Sequence, residues 1–172
     1  SELERRIGER YKVRVTLVNV RADATPIARM SQVSRTAASL LDSLIDDGTR
    51  LGVAWGSTMT EVSRHLPRRP LTGVKVVQLN GAGNAHHSGI PYLGSLLGQL
   101  ANAYEAQTVH FPVPAFFDYA ETKEAMWRER SVQASLRVQQ SVDLAIFGVC
   151  AFGGPIPSHV YSGGYLSLIH IS

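Results

Sequence analysis

The chain has 172 residues, 44% hydrophobic and 18% charged, enough to bury one core and too few for two comfortable domains. This composition excludes a disordered chain, and no stretch approaches the roughly 18–20 apolar residues of a membrane-spanning helix. The net charge of +3 is scattered apart from Arg5-Arg6, Lys12-Arg14 and Arg68-Arg69, so no basic helix marks a DNA-binding surface.

The elements alternate along the chain. Val13, Val15, Leu17, Val18 and Val20 form a β-branched run that predicts a strand, broken by Asp23 to Pro26. Ile27, Met30, Val33, Ala37, Leu40, Leu41, Leu44 and Ile45 recur at helical spacing, which predicts a long amphipathic helix ending near Asp47-Gly48. Leu51 to Trp55 is a short apolar strand that stops at Gly56-Ser57-Thr58. Thr58 to Leu66 then predicts a helix closed by Pro67 and Pro70. Val74 to Leu79 is the next strand and Asn80 to Gly89 a polar loop. Pro91 opens a helix to about Ala106, with Leu93, Leu96, Leu97, Leu100 and Tyr104 inward. A strand over Thr108 to Val113 follows, then a loop from Pro114 to Asp118. Helices over Thr122 to Arg130 and Val132 to Gln140 come next, then an apolar strand over Val142 to Val149.

Strands alternating with helices imply crossover connections and a parallel sheet. Apolar residues on both faces of 51–55, 74–79 and 142–149 predict central strands covered on both sides. The expected fold class is therefore α/β: a Rossmann-like parallel sheet with helices on both faces. One domain is expected over residues 1–165. The tail 166–172 stops in mid-pattern after a Gly/Pro/Ser-rich stretch and is expected to be non-native or disordered. The chain starts at Ser1 with a charged segment, so upstream residues are expected to be missing, and no apolar leader is visible. Cys150, the one cysteine, excludes an internal disulfide, fits a reducing cytoplasm and reads as a small buried hydrophobe.

Ligands of open parallel sheets bind beyond the C-terminal strand ends. Four loops converge there. In the first, Gly56 permits a close approach, and Ser57 and Thr58 add hydroxyls to the free N–H groups of a new helix. A phosphate fits such a turn. A helix cap explains it equally, because Glu61 three residues after Thr58 completes a capping-box pattern. In the second loop, Gln78 and Asn80 suit sugar hydroxyls, and Gly81 and Gly83 let backbone approach a ligand. His86-His87 suggests metal only weakly, since adjacent side chains rarely reach one ion and no acidic or cysteine partner is near. At the third strand end Asp118 either accepts from sugar hydroxyls or caps the following helix, and Gly148 marks the fourth. His110, Trp55 and Trp127 are expected to pack rather than recognise a ligand. No GxSxG elbow, P-loop or dinucleotide GxGxxG turn is present. Lys12, Lys75 and Lys123 lie outside the strand-end loops, which disfavours Schiff-base chemistry. No cofactor is expected.

Leu51 to Thr58 with Val62 and Leu66-Pro67 is similar to the start of the sugar-binding domain of SorC/DeoR-like bacterial transcriptional regulators. Val76 to Gly81, Pro112 to Ala115, Ser131-Val132 and Val142 to Val149 follow in that family's order, and the resemblance covers about residues 3–155. It implies the fold of ribose-phosphate isomerases and glucosamine-phosphate deaminases. It also implies a non-enzymatic effector domain for a phosphorylated sugar, polyol or related metabolite, working in the cytoplasm as a dimer or tetramer. DNA binding would belong to an N-terminal helix-turn-helix absent from this chain. Gly56, Ser57 and Thr58 would hold the phosphate. Gln78, Asn80 and Gly81 would line the sugar, and Pro112 to Ala115 with the Gly148 turn would close the pocket. The family domain continues beyond the end of this chain, so the effector-binding domain is expected to be partial here. The alternative is a sugar-phosphate isomerase or deaminase of the same fold. It needs a positioned general base, and His86, His87 and Asp118 compose no clear Asp–His–Glu or Asp/Glu–Lys set.

Overall fold

In the computed structural model, residues 1–82 and 90–149 are described, with the side chains of 90–93 left aside. The elements are α1 (Glu2–Tyr11), α2 (Pro26–Asp42), β1 (Arg50–Val53), α3 (Ser57–Arg64), β2 (Lys75–Gln78), α4 (Ile90–Tyr104), β3 (Gln107–Val109), α5 (Ala120–Arg128), α6 (Arg130–Gln140) and β4 (Leu144–Ile146). The four strands form one parallel sheet in the order β3-β2-β1-β4. This is the expected Rossmann-like α/β arrangement. The tail 166–172 and Cys150 lie outside the described residues.

The core follows from the apolar periodicity. Leu51, Val53 and Val76 pack with Ala38 and Leu41 of α2, Met59 and Val62 of α3, and Leu96, Leu97 and Leu100 of α4. Val77, pointing to the other face, is fully buried, and α6 packs against β2. Each buried Val, Leu or Met side chain contributes about 1.5–3 kcal/mol on burial. A smaller cluster of Phe111, Val113 and Val132 is closed by Phe117, Met126, Trp127 and Leu136, with Trp127 edge-on to Phe111 and Phe117. Arg69 ties three segments together: Nε donates to Asp42 Oδ1 at 3.0 Å and Nη2 to Ile45 O at 2.7 Å, and the guanidinium lies over the Tyr104 ring. No described helix is long and apolar enough to cross a membrane.

Several expected boundaries move. The run Val13–Val20 pairs with no strand among the described residues. Val13 N–H donates to Gly8 O and Leu17 N–H to Glu4 Oε1, so α1 takes part of its backbone bonding, and Val13 and Leu17 stay exposed. β-branched residues favour a pleated surface only where a neighbouring strand supplies one. Helix α2 ends at Asp42 with Ser43 as its C-cap: the next bond, Leu44 N–H to Leu41 O, spans only three residues, and the Ser43 hydroxyl bonds Leu40 O. Gly48, at φ +79°, is the left-handed residue of a separate turn closed by Thr49 N–H to Asp46 O. β3 stops at Val109, and Val113 N–H folds back onto Phe111 O.

The strand expected over Val142–Val149 is three residues long and stands at the sheet edge, with Phe147 and Val149 exposed rather than covered. Its register is pinned by Asp143, which accepts from Arg50 N, Nε and Nη2 at 2.9–3.0 Å. The Arg50 side-chain and backbone donors hold the Asp143 carboxyl down at about 2, against an ordinary 3.8. A depressed carboxyl pKa stabilises above its ordinary value and loses that contribution as pH falls through the folded value. Amide exchange in β4 is therefore expected to speed up as pH falls from about 4 towards 2, after correction for intrinsic rates. Asp143→Asn should show faster exchange already at neutral pH, with no further acid step.

Candidate functional site

The strand order places β2 and β4 on opposite sides of β1, so the chain reverses direction across the sheet between β1 and β4. Such a switch point leaves a crevice at the C-terminal strand ends. The turn after β1 sits there. Gly56 is the N-cap residue of α3 and supplies no side-chain hydrogen bond. The first helical bond is Thr60 N–H to Gly56 O. Among the described residues, the N–H groups of Ser57, Thr58 and Met59 and the hydroxyls of Ser57 and Thr58 meet no acceptor or donor. The capping box suggested by Thr58 and Glu61 does not form. Glu61 turns instead to Arg64 and His65.

Gly56 has φ 164°, extended backbone open to any residue, and a Cβ placed on it meets nothing within 4 Å. The glycine thus opens space over the helix end without being required by the turn itself. Across the crevice, a Cβ on Gly148 would lie 3.7 Å from Thr58 Cβ and 3.9 Å from Thr58 Oγ1, so the ends of β1 and β4 converge as expected. No Lys or Arg lies between Arg50 and Arg64 in sequence, and none between Lys75 and Lys123. The turn's own positive potential therefore comes from uncapped N–H groups and the helix dipole, typically about 0.3–1 kcal/mol for a charge at a helix end.

The second loop is built differently from its composition. Gln78 is 2% exposed. Its Nε2 donates to Asn80 O at 2.8 Å and Phe111 O at 3.3 Å, and its Oε1 accepts from Phe111 N–H at 3.0 Å. Asn80 Oδ1 accepts from Trp55 N–H at 3.0 Å, and Gly81 O accepts from the Trp55 indole. Ala82 N–H bonds Val113 O and Ala115 N–H bonds Ala82 O, both at 2.8 Å. Gln139 Nε2 closes the arrangement on Gln78 O at 2.8 Å. Gln78, Asn80 and Gly81 thus fasten the strand ends of β1, β2 and β3 to one another, and Trp55 is a buried packing residue as expected. No sequence signal marks Gln139 or Phe111 for this work. A lone Gln on a helix and a backbone amide carry no motif.

Asp118 is exposed, and the helix after it is capped at Tyr119 without a side-chain bond, so of its two readings the cap is not the one adopted. His110 lies just past β3 and is exposed. Gly83 and His86-His87 lie outside the described residues. The described residues hold no group of three or more His, Cys, Asp or Glu placed to bind a metal ion.

Known proteins agree with this architecture. Residues 1–169 match the family described as "Putative sugar-binding domain". A crystal structure of a domain of a possible sugar-binding transcriptional regulator from Arthrobacter aurescens TC1 is 44% identical, with TM-score 0.81 over 85% of this chain and 57% of that one. The full-length sorbitol operon regulator SorC from Klebsiella pneumoniae shares the fold at 19% identity, with TM-score 0.74 over 84% of this chain and 47% of its own. The deoxyribonucleoside regulator of Bacillus subtilis (strain 168) is 28% identical over 117 residues, 68% of this chain. The chain spans 37% of the length of that curated relative. With the family match running through nearly every element, the chain belongs to this family of sugar-binding domains.

Proposed function

We propose that this chain is the effector-sensing part of a bacterial transcriptional regulator and takes a phosphorylated sugar or polyol, with the phosphate on the N-terminus of α3 at Gly56, Ser57 and Thr58. One observation carries the reading: an uncapped helix N-terminus with two unpartnered hydroxyls opens at the β1/β4 switch point, beside Gly148. The sugar would extend towards the loops held by Asn80 and Gly81, with Asp118 and Gly83 as further candidate contacts. Gln78, with its polar atoms committed, would act by holding those loops in place. The relatives include a possible sugar-binding transcriptional regulator and a deoxyribonucleoside regulator, which supports sensing over turnover. DNA contact would fall to another part of such a regulator, assembled in the cytoplasm as a dimer or tetramer.

Thermal denaturation with a panel of pentose and hexose phosphates, their free sugars and polyols tests the assignment. A ligand that binds the folded state alone adds about 2.7 kcal/mol at a hundredfold excess over Kd. The melting temperature is expected to rise with at least one phosphorylated compound and not with its free sugar. A rise with free sugars alone would remove the phosphate from the turn. Conversion of a sugar phosphate in the same sample would favour an isomerase or deaminase.

A further inference from the structure

Helix α3 is tied to α2 by a polar cluster that core packing does not require. Glu61 lies on α3 and His65 is its C-cap, with side chains 16% and 21% exposed, and Ser31 lies on α2. His65 Nε2 is 3.2 Å from Glu61 Oε1 and 3.4 Å from Ser31 Oγ, and Arg64 Nη1 donates to Glu61 Oε2 at 2.9 Å. Burial pushes the Glu61 carboxyl up, but bonds from Arg64, Ser31 and His65 together bring it below its ordinary value, as expected of a carboxylate held by several donors. Two residues before Ser31, Arg29 reaches back out of the helix: Nε donates to Ala24 O at 3.1 Å and Nη2 to Ala22 O at 2.9 Å. Helix α4, the other helix packed on α3, brings no charged residue to this side.

Bonded groups and short stretches of helix backbone together link the α3 N-terminus to the segment before α2. Glu61 lies three residues after Thr58 on α3, the Glu61–His65 pair meets Ser31 on α2, and Ser31 lies two residues after Arg29, which bonds Ala22 O and Ala24 O. Glu61 is one helical turn from Thr58, so a small displacement of α3 moves its carboxylate directly. We propose that Ser31, Glu61 and His65 form a latch that carries occupancy of the Ser57–Thr58 turn to α2 and, through Arg29, to residues 22–24. This rests on the reading of that turn as the phosphate site. The latch converts binding on the sheet edge into a change in the N-terminal segment, because polar bonds across a helix pair have discrete partners whereas apolar contacts slide.

Amide NMR of the chain titrated with inorganic phosphate tests this, with Ser31→Ala and Ser31→Thr as variants. Ser31 is partly exposed on a helix, where alanine is well tolerated. In the wild type, the amides of Ser57 and Thr58 are expected to shift, and those of Ala22, Ala24 and Arg29 to follow with the same midpoint. Ser31→Ala should keep the first set and reduce the second at least about twofold, and Ser31→Thr should restore it. Shifts at Ser57 and Thr58 that never reach Ala22–Arg29 would overturn the latch while leaving the phosphate site standing. Absence of any shift at Ser57 and Thr58 would count against the phosphate site instead, and hydrogen exchange without phosphate then decides the latch. Ser31→Ala should speed exchange about fivefold at both 22–28 and 60–64, the loss of one hydrogen bond. Faster exchange confined to α2 would overturn the latch.

Discussion

Gly81→Ala is expected to lower stability by about 2–4 kcal/mol, which for a chain of this size is a fall in melting temperature of roughly 5–15 °C. A Cβ at this position would stand 2.2 Å from Pro114 O and 2.7 Å from Ala115 N. Both are backbone atoms, so no side-chain rotation relieves the contact. The two loops must part, and three bonds part with them: Trp55 indole to Gly81 O, Ala82 N–H to Val113 O and Ala115 N–H to Ala82 O. Trp55 then loses its indole partner and the closed environment around it, so its fluorescence should shift to the red. Thermal unfolding followed by fluorescence reads both effects at once. Gly56→Ala is the matched control, because its Cβ meets nothing within 4 Å, and its melting temperature should stay within about 2 °C of wild type. Equal losses at both glycines would mean that the loop contact at Pro114 is not what holds this edge together.

Gln78→Leu is expected to cost a similar amount, about 2–4 kcal/mol, by a different route. Leucine is apolar and comparable in bulk, so much of the packing is kept. What disappears is the acceptor for Phe111 N–H and the donor to Asn80 O and Phe111 O. Backbone groups left in an apolar interior keep their full desolvation cost. Gln78→Glu restores the acceptor but not the donor and buries a carboxylate, so it should be no better than leucine at neutral pH and should improve as pH falls towards the carboxylate range. Urea denaturation at pH 7 and pH 5 separates the two variants. A Gln78→Leu protein as stable as wild type would show that Phe111 and Asn80 find other partners.

These two residues also show where sequence and structure part. The alternation of elements was legible because Leu51–Val53 of β1 and Val76–Val77 of β2 are buried on both faces and are apolar, while α3 and α4 carry clean helical stripes. Val13 to Val20 misled because β-branching records what a residue suits, not whether a partner strand is present. Val142 to Val149 misled because apolarity does not distinguish a covered strand from an edge. The turn at Gly56 to Thr58 was legible as strand, glycine, hydroxyls and helix. Its rival reading, a capping box, was decided by where Glu61 points, and three-residue spacing cannot show that. Gln78 and Asn80 have the composition of a sugar-binding loop, yet their side chains bond backbone groups of Trp55 and Phe111. Polar residues at a strand end serve ligand and scaffold with the same chemistry, and only the distances tell them apart.

Calorimetric titration with the phosphorylated compound that gives the largest thermal shift, on wild type and on Thr58→Asp, tests a phosphate site at the α3 N-terminus directly. An aspartate in the first turn of a helix favours the dipole, so the variant should fold at least as well as wild type. It places a negative charge beside Ser57 at the mouth of the crevice, where a phosphate would sit. The expected result is binding by wild type weakened roughly a hundredfold in Thr58→Asp, about 2.7 kcal/mol, with no loss of melting temperature. Equal affinity in the two proteins would contradict a phosphate at the α3 N-terminus.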